Sequence, residues 1–169
     1  AAGRYQDVLY RIPFRADLGL LYYNQALMDE LNTEPAQTFE ELLAQSQAIQ
    51  AQGATPWGYV WQGREYEGLV ANFVEVLAGH GGFWVAPSTG EIGLGQPAAI
   101  TAAAFLANTI REGISPQLVT SYSETESLQQ FIEGQSLFVR NWPYFWQRVN
   151  QSDSPLAGQV GLTSVVAAA

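Results

Sequence analysis

The run Leu18-Gly19-Leu20-Leu21-Tyr22-Tyr23 is apolar at every position except one glycine, too continuous for a strand with one wet face. A strand of this kind is covered on both sides, which is the pattern of α/β architectures. The rest of the chain fits that frame. A strand is expected over Val8 to Phe14, ending near Pro13, and a short helix from Asn24 to Leu31. Thr38 and Glu41 have the spacing of a capping box, with Phe39, Leu42, Leu43 and Ile49 on one helical face and Gly53 as the stop. Trp57 to Trp61 reads as a strand. A helix is expected from Glu65 to Gly79 with Leu69, Phe73, Val76 and Leu77 inward. Pro97 opens another helix, with Ile100, Ala104, Ala107 and Ile110 along its inner face and Gly113 past its end. Ser123 and Glu126 form a second capping box ahead of Leu128, Phe131 and Ile132, and Gly134 ends that helix. Ser136 to Arg140 reads as a strand, Pro143 to Val149 as a short helix, and Val160 to Val166 as a last strand. Strands and helices alternate throughout, so the expected fold class is α/β, a layered sheet flanked by helices. The chain enters and leaves through extended segments, as a segment cut from a larger protein does.

Charge narrows the partners. Sixteen acidic residues stand against seven arginines, lysine is absent, and the net charge is −9. No basic face is available for nucleic acid, and an anionic membrane repels such a chain. Cysteine is absent too, which removes disulfides, thiolate catalysis and cysteine-bound zinc. The most apolar stretch, Gly68 to Val85, is interrupted by Asn72, Glu75 and His80, so no membrane span is expected. The first residues lack the basic start and apolar core of a signal peptide.

No catalytic pattern stands out. Glu65 and Glu67, like Glu124 and Glu126, are two residues apart and point in different directions on a helix, where they read as acids placed at helix N-termini. His80 reads as a helix-end residue capping carbonyls, and no Gly-x-Ser-x-Gly elbow or phosphate loop is present. The aromatics are more informative. Arg140-Asn141-Trp142-Pro143-Tyr144 and Trp61-Gln62-Gly63 each set rings and amide or guanidinium groups at a strand end, where open α/β sheets line their ligand crevice. Flat apolar faces with polar rims suit sugars, whose C–H faces stack while their hydroxyls are hydrogen-bonded. Trp57, Phe83, Trp84 and Trp146 read as packing residues. Asp17, just ahead of the apolar strand, is suited either to capping a turn or to accepting hydrogen bonds from neighbouring sugar hydroxyls.

Four blocks carry a resemblance. Tyr10 to Asn24 resembles the crossover segment of the extracellular solute-binding proteins of bacterial ABC sugar importers, the maltose- and trehalose-binding group above all. Thr38-Phe39-Glu40-Glu41-Leu42 is similar to the T-W-x-E-L helix start of that group. Gly58 to Leu69 is similar to its W-Q-G-x-x-Y-E-G-L block, and Phe138 to Tyr144 to its F-x-x-N-W-P-Y block. The resemblance implies one lobe of a two-lobed type II binding fold: hinge strands over residues 1–23, a C-terminal substrate lobe over 24–157, and a return hinge strand over 158–169. It implies sugar contacts from Asp17, Tyr66, Trp142 and Tyr144. Arg15 and Trp61 join them as candidates, Arg15 standing where the family often has tyrosine. It further implies a non-enzymatic protein without cofactor or metal, held in the periplasm or at the cell surface. Its partners are a disaccharide and a membrane permease, with exposed hinge strands open to dimerisation. A carbohydrate-active enzyme fragment or a stand-alone carbohydrate-binding module is the alternative.

Overall fold

A computed structural model describes residues 3–12, 14 and 17–169. Strands β1 (Arg4–Tyr5) and β2 (Val8–Leu9) form a small antiparallel hairpin. The main sheet comprises β3 (Leu20–Asn24), β4 (Trp57–Val60), β5 (Ser136–Asn141) and β6 (Val160–Ser164), in the order β4-β5-β3-β6. Strand β3 runs antiparallel to both neighbours, whereas β4 and β5 are parallel. The helices are α1 (Gln25–Leu31), α2 (Phe39–Ala51), α3 (Glu67–Gly79), α4 (Pro97–Arg111), α5 (Glu124–Ile132) and α6 (Phe145–Val149).

The two-residue period of a strand explains the layering. Leu21, Tyr59 and Phe138 project into one cluster with Phe39 and Leu42 of α2, Leu77 of α3, and Phe105 and Leu106 of α4. Their chain neighbours Tyr22, Val60 and Val139 project into the other, with Leu128 and Phe131 of α5 and Phe145 and Val149 of α6. Helices therefore cover both faces, as the unbroken apolar run of β3 requires. Every residue of β5 is buried, so it is the spine of the sheet.

Local signals decide the helix starts. Asn24 Oδ1 accepts from the backbone N–H of Ala26 and Leu27, and both capping boxes, Thr38/Glu41 and Ser123/Glu126, form in full. Four expectations shift. The strand expected over Val8 to Phe14 is only Val8–Leu9, because the chain turns back through Gln6 and Asp7, both at positive φ, and pairs with Arg4–Tyr5; Pro13 lies outside the described residues. The short helix begins at Phe145 rather than Pro143. His80 does not cap carbonyls through its ring, which stacks on Phe39 at a centroid distance of 4.2 Å. Finally, α4 is rotated from the expected phase: Ala99, Ala102, Phe105, Leu106 and Thr109 face inward, while Ile100 is 70% exposed. With alanine on several sides, the helix takes its phase from the bulky Phe105–Leu106 pair, which buries the most apolar surface.

This rotation is testable. Leu106→Ala is expected to cost about 2–5 kcal/mol, and Ile100→Ala to stay within about 0.5 kcal/mol of the parent, in urea unfolding. Equal losses at the two positions contradict the observed phase.

Candidate functional site

At the C-terminal end of β5 the strand delivers Arg140 and Asn141, then the chain turns through Trp142 and Pro143 toward α6. Arg140 is 1% exposed, so its charge must be answered inside the protein. The answer comes from Glu75 on α3: Nε donates to Oε2 at 2.7 Å and the terminal nitrogen Nη2 to Oε1, a two-point contact. Gly19, just before β3, leaves room for that carboxylate, because a Cβ there would overlap it. The remaining guanidinium nitrogen, Nη1, donates to Gln62 Oε1 at 3.1 Å.

Gln62 is itself buried and fully used. Its amide donates to Ser127 Oγ of α5 and to the Arg140 carbonyl, while Asn72 of α3 donates to its Oε1 and also to the Gly68 carbonyl. One polar network thus ties α3, α5, the end of β4 and the end of β5 together. It supports Trp142 from beneath, with the Arg140 guanidinium carbon 3.7 Å from the centroid of the Trp142 ring, a cation–π contact.

Above this network lies a cleft of about 420 Å³ lined by Asp17, Tyr66, Glu67, Gly68, Glu124 and Trp142. Glu124, in the first turn of α5, accepts the indole N–H of Trp142 at 2.8 Å and the hydroxyl of Tyr66 at 2.7 Å. Burial pushes its carboxyl up, but these two donors, with the nearby Arg140 charge adding to them, pull it below the ordinary range. Burial and the bond to Glu124 push the Tyr66 phenol up. The arrangement offers half-buried ring faces and carboxylate acceptors side by side, which suits a neutral ligand rich in hydroxyl donors.

A larger groove of about 900 Å³ lies between α3 and α4, lined by Val70, Phe73, Trp84, Leu94 and Ile100 among others. Its walls are apolar apart from Arg111, so it lacks the polar rim such a ligand needs. Among the described residues, no group of three or more His, Cys, Asp or Glu could hold a metal ion, and no helix is long and apolar enough to cross a membrane.

Of the residues singled out from sequence, Asp17, Tyr66 and Trp142 come together in the cleft. Tyr144 stands beside it, 42% exposed, its phenol pushed up by burial and by the Glu124 charge. Arg15 lies outside the described residues. Trp61 requires correction. It is 3% exposed, and its indole N–H reaches Thr109 and Ser115. Beyond the end of β4 the alternation continues, so Trp61 follows Tyr59 into the core under α3 and α4, and Gln62 takes the other direction. Trp84 and Trp146, read as packing residues, are instead 41% and 44% exposed.

Glu124, read from sequence as an acid at a helix N-terminus, takes a further role in the cleft, because an acid at a helix start already has an explanation that hides it. A finer signal was present: the capping box is complete with Glu126, which leaves Glu124 without a capping role. Likewise Asn72 and Glu75, three apart in an apolar helix, share one face and mark the buried network.

A family model for bacterial extracellular solute-binding proteins matches residues 1–168. The chain is 34% identical over 164 residues to a probable ABC transporter-binding protein of Deinococcus radiodurans, covering 94% of this chain and 39% of that one. It is 35% identical to a maltose-bound MalE3 of T. maritima, with a TM-score of 0.88 over 98% of this chain and 42% of that chain. A solute-binding protein of Thermotoga lettingae bound with α-D-tagatose shares the fold at 19% identity, with a TM-score of 0.82 over 99% of this chain and 43% of that chain. The chain thus spans about two fifths of the length of these relatives.

Two outcomes follow from the network. Glu75→Ala leaves the Arg140 charge buried without its partner and is expected to cost about 3–5 kcal/mol in urea unfolding; Gly19→Ala, which pushes the carboxylate aside, is expected to cost less in the same direction. Because the folded-state Glu124 carboxyl titrates below its unfolded value, its contribution to stability is present above the ordinary carboxylate range and lost as pH falls through the depressed value. Between about pH 7 and pH 3, the parent should therefore lose more stability than Glu124→Gln does; parallel pH profiles contradict this assignment.

Proposed function

The chain belongs to the bacterial extracellular solute-binding proteins, and on that footing we propose that it is the sugar-contacting lobe of a two-lobed binding protein serving an ABC importer. In this reading residues 24–157 form the lobe, and the segments 1–23 and 158–169 carry the hinge crossings to a second lobe. The ligand is a disaccharide of the maltose or trehalose kind, trapped when the lobes close, and the closed form docks on the membrane permease. The setting is the periplasm or the cell surface. Binding occurs without turnover.

The observation that carries the reading is the cleft itself. One face of Trp142 rests on Arg140, Tyr66 stands beside it, and Asp17 and Glu124 bring carboxylate acceptors to the same space. A sugar ring presents C–H groups to such faces and hydroxyls to such acceptors. The 35% identity to a maltose-bound protein supports the choice of a disaccharide. The exposed apolar side chains of Ile12, Phe14 and Leu18 suit a segment covered by the second lobe, and in its absence they offer a surface for self-association.

With one sugar face left in water, the 169-residue chain is expected to bind maltose or trehalose only in about the millimolar range, near −4 kcal/mol. Trp142→Ala should weaken that binding about tenfold, and Trp84→Ala should leave it unchanged, in a fluorescence or NMR titration. Steady product release from glycosides, or equal effects of the two substitutions, overturns the proposal.

A further inference from the structure

Trp142 is held at four points. Its backbone N–H donates to Asn141 Oδ1 at 2.8 Å, its carbonyl accepts the Tyr22 hydroxyl at 3.0 Å, one ring face lies on Arg140, and the indole N–H ends on Glu124. The first two contacts set the backbone, and the third sets the plane of the ring. The fourth pins the polar edge of the indole, which the face contact with Arg140 leaves free to slide. Tyr66 is held differently. It precedes α3 as the N-cap without a side-chain capping bond, and its ring lies across Gly68, where a Cβ would overlap the phenol. The far end of that ring is anchored by the same Glu124. Each carboxylate oxygen thus takes one ring, Oε1 the indole and Oε2 the phenol.

Resting on the sugar-binding reading, we propose that Glu124 is a positioning residue that presets Trp142 and Tyr66 as two fixed walls of the cleft, so that a ligand meets their ring faces and not their polar tips. The chemistry supports this in three ways. An ionised carboxylate has acceptor capacity for both donors at once, and hydrogen bonds to it are roughly twice as strong as neutral ones. Both donors are consumed, so neither the indole N–H nor the phenol hydrogen is offered to a ligand. Rings already immobilised lose less rotamer freedom when a ligand arrives, and that entropy is a standing cost of association. Glu124 also lines the cleft, leaving part of its acceptor capacity facing the ligand.

Glutamine at this position separates positioning from packing. It matches glutamate in size, but its amide nitrogen cannot accept, so one of the two rings is released. Gly68→Ala disturbs the other end, displacing Tyr66 while leaving the Trp142–Glu124 bond. The test is an NMR titration of the ¹⁵N-labelled 169-residue chain with maltose, following the indole N–H resonances of its five tryptophans. The Trp142 resonance is identified by its loss in Trp142→Phe, and each variant is unfolded in urea in parallel. Glu124→Gln is expected to shift the ligand-free Trp142 resonance or broaden it, and to weaken maltose binding about tenfold, with a drop in the urea midpoint at neutral pH as the carboxylate's own contribution is lost. Gly68→Ala is expected to weaken binding by a smaller factor and to leave the ligand-free Trp142 resonance in place. Maltose binding by Glu124→Gln within about twofold of the parent overturns the positioning role while the sugar reading stands. A loss of affinity with the ligand-free Trp142 resonance unmoved shows that Glu124 does not act through the ring and overturns it as well. A parent chain whose resonances respond to neither maltose nor trehalose overturns the sugar reading and, with it, this one.

Discussion

The contact between Arg140 and Glu75 is the constraint around which the ligand face is arranged. An arginine on the most buried strand of the sheet has no route to water, so α3 must bring a carboxylate to it. That requirement fixes the rotation of α3, the bare position at Gly19 and the amide of Gln62 together. A buried pair of this kind adds little net stability over well-packed apolar side chains. What it supplies here is placement: the guanidinium plane becomes the floor on which Trp142 lies.

Placement propagates from that floor. Gln62 spends its donors on Ser127 and on the Arg140 carbonyl, which locks the first turn of α5 to the end of β5. Glu124 sits in that same turn, so its carboxylate arrives where the indole N–H and the Tyr66 hydroxyl can reach it. Asn72 ties the Gly68 carbonyl to Gln62 and so holds the start of α3, where Tyr66 departs. Each aromatic wall of the cleft is therefore two hydrogen bonds or fewer from the buried network.

The groove and the cleft show why volume alone does not identify a site. The groove between α3 and α4 is roomier, yet its walls are apolar except for Arg111. The smaller cleft gathers carboxylates and half-buried rings at the end of the sheet's central strand. Trp61 illustrates the same point from the side of sequence. Its neighbours Gln62 and Gly63 resemble a binding block, but strand alternation turns the indole inward, where Thr109 and Ser115 satisfy it.

What the sequence determined by itself was whatever depends on near neighbours in the chain. The capping boxes at Thr38 and Ser123, the sheathed strand within the run Leu18 to Tyr23, and the alternation of strands and helices all follow from spacings of a few residues. Asp17, Tyr66 and Trp142 were legible as candidates because strand ends and motif blocks are local too. What only the tertiary structure decided involves residues far apart in sequence. The phase of α4 depends on which of its several apolar sides buries the most bulk against α3 and the sheet. The role of Glu124 depends on Tyr66 and Trp142, 58 and 18 residues away. That of Arg140 depends on Glu75, 65 residues away. A carboxylate's partners are chosen by desolvation and geometry once the layers close, and no local pattern encodes that choice.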